Sequence, residues 1–439
     1  PGRALALAAV AAWLSLPGAA TAQQQPTAAS PEPPTVSATQ PSTGTRSPLP
    51  GRPVFTLPQI AEMARQSSPL LAVGRAEIDA AQAGTITARA YPNPELAIEP
   101  GRLSPRTAAA TSGSSAIFSI GQPLENPWLR EARIRGAESG VEVARARARA
   151  QVVNLGATVR TKFLDVVRLD EETLAFGEDL QITEQIRDRI LLRVRTGEAP
   201  RFDLVRAEGE VEAARKNLLT ARQRRLQAMA ELRSLVGPAL PEDFQLQYDA
   251  ESLPRHSEAA YPALREAVTE RNPEIAIIRR QIEQAERQVE LERNSIVPQV
   301  TLKATRERDP EVDLTRIGAS VSIPLVNRRE GPIAEARAQA QRARLVLEQR
   351  RFELRAGLDA AWQGVAAAQA RVQAIEGGVL ARASTTLEIA EAAYRLGERG
   401  ILEFLDAQRQ FRLARNELIA ARYELRTARS ELERLLGNP

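Results

Sequence analysis

The chain has no cysteine, one histidine, two methionines and only 4% aromatic residues among 439. Without cysteine there are no disulfides, no thiolate metal centres and no lipid attached through an N-terminal cysteine. The one histidine, His256, sits in a polar connecting stretch and reads as a solvated surface residue, because a metal site needs several converging donors. No nucleophile–base pair or metal-ligand cluster is visible. The sequence therefore assigns no catalytic, cofactor-binding or metal residues and argues against an enzyme. A clustered basic-aromatic surface is lacking too. The 59 basic residues are offset by 55 acidic ones, and the signs interleave, as along Arg206, Glu208, Glu210, Glu212 and Arg215. These read as solvated helix faces with i,i+4 pairs. The pI near 9.7 then reflects a slight arginine excess, and no nucleic-acid partner is expected. Beyond the N-terminus, no run is long and apolar enough for a membrane helix, which needs about 20 residues.

What is abundant is Ala, Glu, Arg and Leu, the composition of long helices and helical bundles. Residues 1–22 have the layout of a secretory signal: Arg3, an apolar run from Ala4 to Leu16, then Ala20-Thr21-Ala22 as a small-x-small cleavage site. Residues 23–54 are rich in Pro, Ser, Thr and Gln and are expected to form a disordered tether. The remainder reads as a duplication, 55–237 and 261–439, joined by an irregular connecting segment, 238–260.

The duplication is centred on two glycine bends. Tyr394-Arg-Leu-Gly397-Glu-Arg-Gly400 interrupts helix-favouring sequence, and Arg195-Thr-Gly197-Glu-Ala-Pro200 does so earlier. Gly397 follows Gly197 by 200 residues, and Gly437 follows Gly237 by the same interval. Glycines 397 and 400 are expected to supply the positive-φ positions of a helix end and tight turn. Upstream of each bend the order is the same. A short helix is interrupted near Pro69 or Pro273. A strand follows Pro94 or Pro298 (Glu95–Glu99; Val300–Ala304), then a loop (Gly101–Ser115; Thr305–Asp313). After a second strand (Ala116–Leu124; Ile317–Ile323) comes a proline-free run to the bend. The run from Pro127 to Thr196 would make a helix about 105 Å long at 1.5 Å per residue. The expected fold is thus mainly α with a small β part: paired long hairpins and four strands per chain. Each strand has one apolar and one small or polar face, as in a membrane barrel wall. Four strands cannot close such a barrel, so subunits must pool them.

In Tyr91-Pro-Asn-Pro-Glu-Leu96, Ser119-Ile-Gly-Gln-Pro-Leu124 and Thr196-Gly-Glu-Ala-Pro-Arg-Phe-Asp-Leu-Val-Arg-Ala207, the chain resembles the TolC-like outer-membrane factor family. It is most similar to the family's heavy-metal efflux (CzcC-like) branch. The likeness runs from Phe55 to Gly437. It implies a homotrimer in the outer membrane with a 12-strand barrel and a helical barrel crossing the periplasm. It also implies a periplasmic adaptor and an inner-membrane RND-type pump as partners, and passive conduction of exported solutes with no cofactor. By the same resemblance, Glu403 and Asp406 ring the periplasmic entrance, and Asp203, Tyr394 and Arg399 form its closing network. The sequence departs from the family at Glu403, where a shorter Asp is usual, and at Phe202, where a hydroxyl residue is common. The adaptor would meet Gly197, Glu198 and Ala199 at one bend and Gly397, Glu398 and Gly400 at the other. Both strand loops would lie outside the cell. An ordinary solvated helix end remains the competing reading of the tip residues. A periplasmic coiled-coil scaffold or adaptor that spans no membrane remains the competing function.

Overall fold

In the computed structural model, which describes residues 52–104, 111–248 and 256–438 within one unit, Pro48–Pro439, the two halves follow the same plan. The first comprises β1 (Val54–Thr56), α1 (Leu57–Ser67), α2 (Pro69–Arg89), β2 (Glu95–Leu103), β3 (Gly113–Leu124), α3 (Pro127–Arg195) and α4 (Arg201–Val236). After β4 (Gln245–Gln247), the second comprises α5 (Tyr261–Arg271), α6 (Pro273–Asn294), β5 (Gln299–Arg308), β6 (Asp313–Ser322), α7 (Glu330–Ala374), α8 (Ala381–Arg395) and α9 (Ile401–Leu435). The expected signal, 1–22, and the expected tether up to residue 51 lie outside the described residues. Val54, assigned to the tether, already opens β1.

Proline sets where the helices begin. Pro69, Pro127 and Pro273 each occupy the first position of a helix, where the missing N–H costs nothing. The residue before a proline is pushed out of the α region. Ser68 and Asn272 accordingly share φ −63 or −64 and ψ 127, and each breaks its short helix into two. Side chains complete the caps: the Trp128 N–H donates to Asn126 Oδ1 at 2.8 Å, and the Glu274 N–H to Asn272 Oδ1 at 2.9 Å.

The short helices stack end to end beside the long one, and in each half a polar side chain at the break donates to a carbonyl at the end of the return helix. The Ser67 hydroxyl donates to the Val236 carbonyl at 2.7 Å, and Asn272 Nδ2 donates to the Leu435 carbonyl at 3.0 Å. Gly237 (φ +99) and Gly437 (φ +80) close the joints. A Cβ on Gly437 would lie 2.8 Å from the Arg271 carbonyl oxygen, and one on Gly237 would collide with that of Ser67. Fully buried Ile60, Phe163, Leu232 and Val236 fill the first joint; Val268, Ile275, Leu358, Leu432 and Leu436 fill the second.

Helix α3 is continuous over 69 residues. Its counterpart, expected as one proline-free run to the second bend, begins at Glu330 and is interrupted by a π-helical turn at Ile375–Leu380. Gly377 and Gly378, which lack the side chains that enforce regular α geometry, lie in that turn.

Strands β2, β3, β5 and β6, which the alternating patterns indicate, form an antiparallel sheet in that order, with β3 and β5 joining the two halves. They reach further than composition indicated. Ladder pairing continues to Leu103–Gly113 and Arg308–Asp313, so both ends of the first expected loop are strand and the second loop shrinks to 309–312. Backbone hydrogen bonds carry these ends, and a Ser-, Thr- or Arg-rich sequence gives no sign of them. A further pair was hidden. β1 and β4 run parallel, Phe55 opposite Leu246, which places β4 inside the connection read as irregular.

The sheet's two faces differ. On one, Leu96, Ile120, Ala304 and Ile317 stand abreast, with Val300 and Val321 in a row below. On the other, Ser119, Gly121, Thr301, Lys303, Gly318 and Ser320 alternate with them. Ile317 is 87% exposed and Leu96 70%. β2 and β6 each pair on one side only, leaving the sheet open at both edges. No described helix is long and apolar enough to cross a membrane.

The reading of His256 as solvated is corrected. Its Nε2 lies 2.6 Å from Glu433 Oε1, and Glu433 is 3% exposed. The partner lies 177 residues away in sequence, so composition around His256 could not reveal it.

Candidate site at the helical tip

Both bends end their helices in one way. At the first, the Glu198 N–H donates to the Arg193 carbonyl at 2.8 Å and the Gly197 N–H to Val194 at 3.2 Å. At the second, Glu398 donates to Ala393 at 3.0 Å and Gly397 to Tyr394 at 3.1 Å. This crossed pair of bonds needs a left-handed residue just past the helix, and Gly197 (φ +80) and Gly397 (φ +76) provide it. Gly400 does not share that role. At φ −74 and ψ 161 it is the extended N-cap of α9, the place Pro200 takes before α4 at φ −71 and ψ 147. The expectation of two positive-φ glycines in the second bend is thereby corrected to one.

A small core holds the bends together. Ile186, Ile190, Ala207, Ile401, Phe404 and Leu405 are buried, with Tyr394, Leu204 and Leu387 packed against them. The Tyr394 ring stacks on Phe404, and the Arg193 guanidinium lies 5.2 Å from the Tyr394 centroid. Gly197, Glu198, Gly397, Glu398 and Gly400 are exposed and Ala199 half-buried. A Cβ on Gly197, Gly397 or Gly400 would meet no atom within 4 Å. The tip backbone is therefore bare and open.

The five residues of the expected gate converge only in part. Arg399 Nη1 lies 3.2 Å from Glu403 Oε1, one turn along the same segment, with both side chains more than half exposed. Within the chain Arg399 is thus paired with Glu403, whereas Asp203 sits half-buried in the first turn of α4. Asp406 Oδ2 accepts from Gln410 Nε2 at 2.9 Å. Glu403 and Asp406 are both exposed on α9, three residues apart. Phe202, which departs from the family pattern, is 66% exposed.

Above the tip, ionic contacts between the two halves went unread in the sequence. Arg409 and Arg412 both reach Glu210 at 3.3 Å. Arg415 lies 2.6 Å from Asp179 and 3.0 Å from Glu178. Burial pushes the Asp179 carboxyl up from its ordinary range, while Arg415 and Arg412 pull it back down. Asp179 Oδ2, Arg415 Nε and Gln408 Nε2 are buried without a hydrogen-bond partner. The partners lie about 200 residues apart in sequence, and only the regular alternation of charges hinted at them. Among the described residues, no three His, Cys, Asp or Glu side chains are grouped to hold a metal.

The model of the outer membrane efflux protein family matches the chain twice, at residues 60–238 and 264–438. The cobalt-zinc-cadmium resistance protein CzcC of Cupriavidus metallidurans is 27% identical over 387 residues, covering 87% of this chain and 90% of that one. The nickel-cobalt-cadmium resistance protein NccC of Alcaligenes xylosoxydans is 27% identical over 322 residues, 70% of this chain and 64% of its own. The crystal structure of CusC shares the fold, with TM-score 0.73 at 17% identity over 87% of this chain and 92% of that one. A duplicated helical column with an open four-stranded sheet, matched twice by one family model, leads to one conclusion: this chain belongs to the outer membrane efflux protein family.

Proposed function

We propose that the chain is the duct of a tripartite export system and works as a homotrimer. The carrying observation is the open sheet with one apolar and one polar face, set at the far end of a 69-residue helix from a bare glycine tip. Strands in lipid must leave no free edge. Three copies of this sheet supply twelve strands, enough to close a barrel with its polar face inward. The helical columns then hang toward the inner membrane. There a periplasmic adaptor would meet Gly197–Ala199 and Gly397–Gly400, linking the duct to an inner-membrane RND-type pump. Solutes pass down their gradient, and conduction of this kind requires no reaction. Asp203, Tyr394, Arg399, Glu403 and Asp406 form the entrance gate in this reading. The relatives named for cobalt, zinc, cadmium and nickel resistance favour heavy-metal cations as cargo, and exposed Glu403 and Asp406 suit a cation entrance.

Cell fractionation tests the proposal. The protein should appear in outer-membrane fractions as trimers that dissociate on heating. A soluble periplasmic monomer would instead support a coiled-coil scaffold. Metal sensitivity after deletion, relieved by the intact gene, tests the cargo.

A further inference from the structure

The sheet's apolar face ends upward in a change of charge that the channel function does not need. In the row where Ile98 and Phe118 stand on β2 and β3, the β5 residue is Arg306. One row higher, Arg308 stands opposite Ala116, and above that Arg102 stands opposite Ser114. All three arginines share the face of Leu96 and Ile120, because side chains alternate along a strand, and all three are exposed. Asp313 is the acidic group among them. Arg306 donates to both its oxygens, at 3.0 and 2.7 Å, and Arg308 reaches it at 3.2 Å. The patch thus keeps a net charge of +2 per chain. Nearby acids are engaged elsewhere. Glu307 faces inward and pairs with Arg316 at 2.8 Å, Asp309 caps the turn at Glu311 and Val312, and Glu311 accepts from the Thr111 N–H.

The opposite end of the apolar face is finished differently. Tyr91 and Trp128 are each 69% exposed there, with Arg130 stacked on Tyr91 at 4.5 Å. Aromatic side chains suit the boundary between hydrocarbon and ordinary headgroups. Eight residues of β5 separate the Val300 row from Arg308, about 26 Å of strand at roughly 3.3 Å per residue. At the ~40° tilt of barrel strands this is about 20 Å along the membrane normal, most of the ~25 Å apolar band of outer-membrane barrels. The arginines therefore stand where the acyl chains of the outer leaflet end and its anionic groups begin.

We propose that Arg102, Arg306 and Arg308 form a docking surface for a phosphate-bearing glycolipid of the outer leaflet, its acyl chains lying against Ile98 and Phe118. Guanidinium groups bind phosphate through paired N–H donors, and a forked arginine is better suited to this than a point charge. Arg306, oriented by Asp313, is held ready; Arg308 and Arg102 extend the site upward. Six net positive charges would then encircle the trimer. The surface rests on the channel reading, with the strand ends facing outward.

Native mass spectrometry of purified trimers, titrated with diphosphoryl lipid A and separately with phosphatidylglycerol, tests it. Wild type should retain diphosphoryl lipid A in preference. Arg102→Gln with Arg308→Gln, which leaves the Arg306–Asp313 fork intact, should weaken that binding about tenfold, the loss of a charge-assisted contact. Planar-bilayer conductance should be the same in both proteins. Conducting trimers that bind lipid A equally with or without the arginines would overturn the proposal alone. Equal retention of phosphatidylglycerol by wild type would do the same. Failure of wild type to form conducting trimers would overturn the channel reading and this surface with it.

Discussion

Tyr394 and Phe404 lie face to face across the second bend, ring centroids 5.8 Å apart and planes within 4° of parallel. The contact joins the last turn of α8 to the first turn of α9. Phe404 is 5% exposed, so Phe404→Ala should cost about 3–5 kcal/mol of local stability. Tyr394→Phe keeps the stack and should cost little. Limited trypsin digestion of intact trimers should therefore cut the Phe404→Ala tip, at Arg395 or Arg399, much faster than wild type. Equal cutting rates would mean that the stack does not hold the bend.

The Arg399–Glu403 pair carries a second prediction. An exposed i,i+4 pair contributes only about 0.2–1 kcal/mol, so its loss should not unfold the tip. Arg399→Ala leaves Glu403 unopposed beside Asp406, and three copies would sharpen cation preference. Glu403→Ala with Asp406→Ala should reduce that preference and the block by multivalent cations. Asp203→Ala with Arg399→Ala should raise conductance. Reversal potentials under a salt gradient and unit conductances measure these effects; unchanged values would mark ordinary solvated helix ends.

Glycines at the joints and at the bends should respond differently. Holding an alanine in the left-handed region costs about 1–2 kcal/mol. At Gly397 that is the whole penalty, because the space is open. At Gly437 the new methyl also meets the Arg271 carbonyl at 2.8 Å. Gly437→Ala should thus lower the dissociation temperature of the trimer more than Gly397→Ala. A bulky residue at Gly397 should abolish export while leaving trimers in the membrane. The reverse order of stabilities would contradict the described joint.

Asp179 yields a pH dependence. Burial raises its carboxyl above the unfolded value, so the native state binds the proton more tightly than the unfolded one. Stability from this group is fully present below the unfolded pKa and falls as pH rises through the folded one. Asp179→Asn does not titrate. Its stability relative to wild type should therefore improve on going from acid pH to neutral pH. Thermal denaturation at both pH values checks the sign, and a mutant that loses stability relative to wild type toward neutral pH would show that Arg415 outweighs burial.

Regularities within one half were legible. Gly197 and Gly397, the prolines before α2 and α6, and the alternation in β3 and β6 each act on their immediate neighbours. The extra residues of β2 and β5 were not legible, because ladder bonds depend on the partner strand. Arg415 with Asp179, and His256 with Glu433, were illegible for a related reason. Many arginines alternate with acids along these helices, and only the packing of α9 against α3 selects which of them meet. Gly400 was misread because a glycine before a helix and a glycine after one look alike in sequence; the match with Pro200 was the available clue.

Three chains together should make a water-filled duct across a membrane. Single-channel recording from purified protein in planar bilayers tests it most directly. The trimer should give discrete, ohmic conductance steps, abolished when heating separates the chains. A trimer that inserts yet passes no current under any voltage or with its gate residues removed, or a protein that stays monomeric and never inserts, would contradict it.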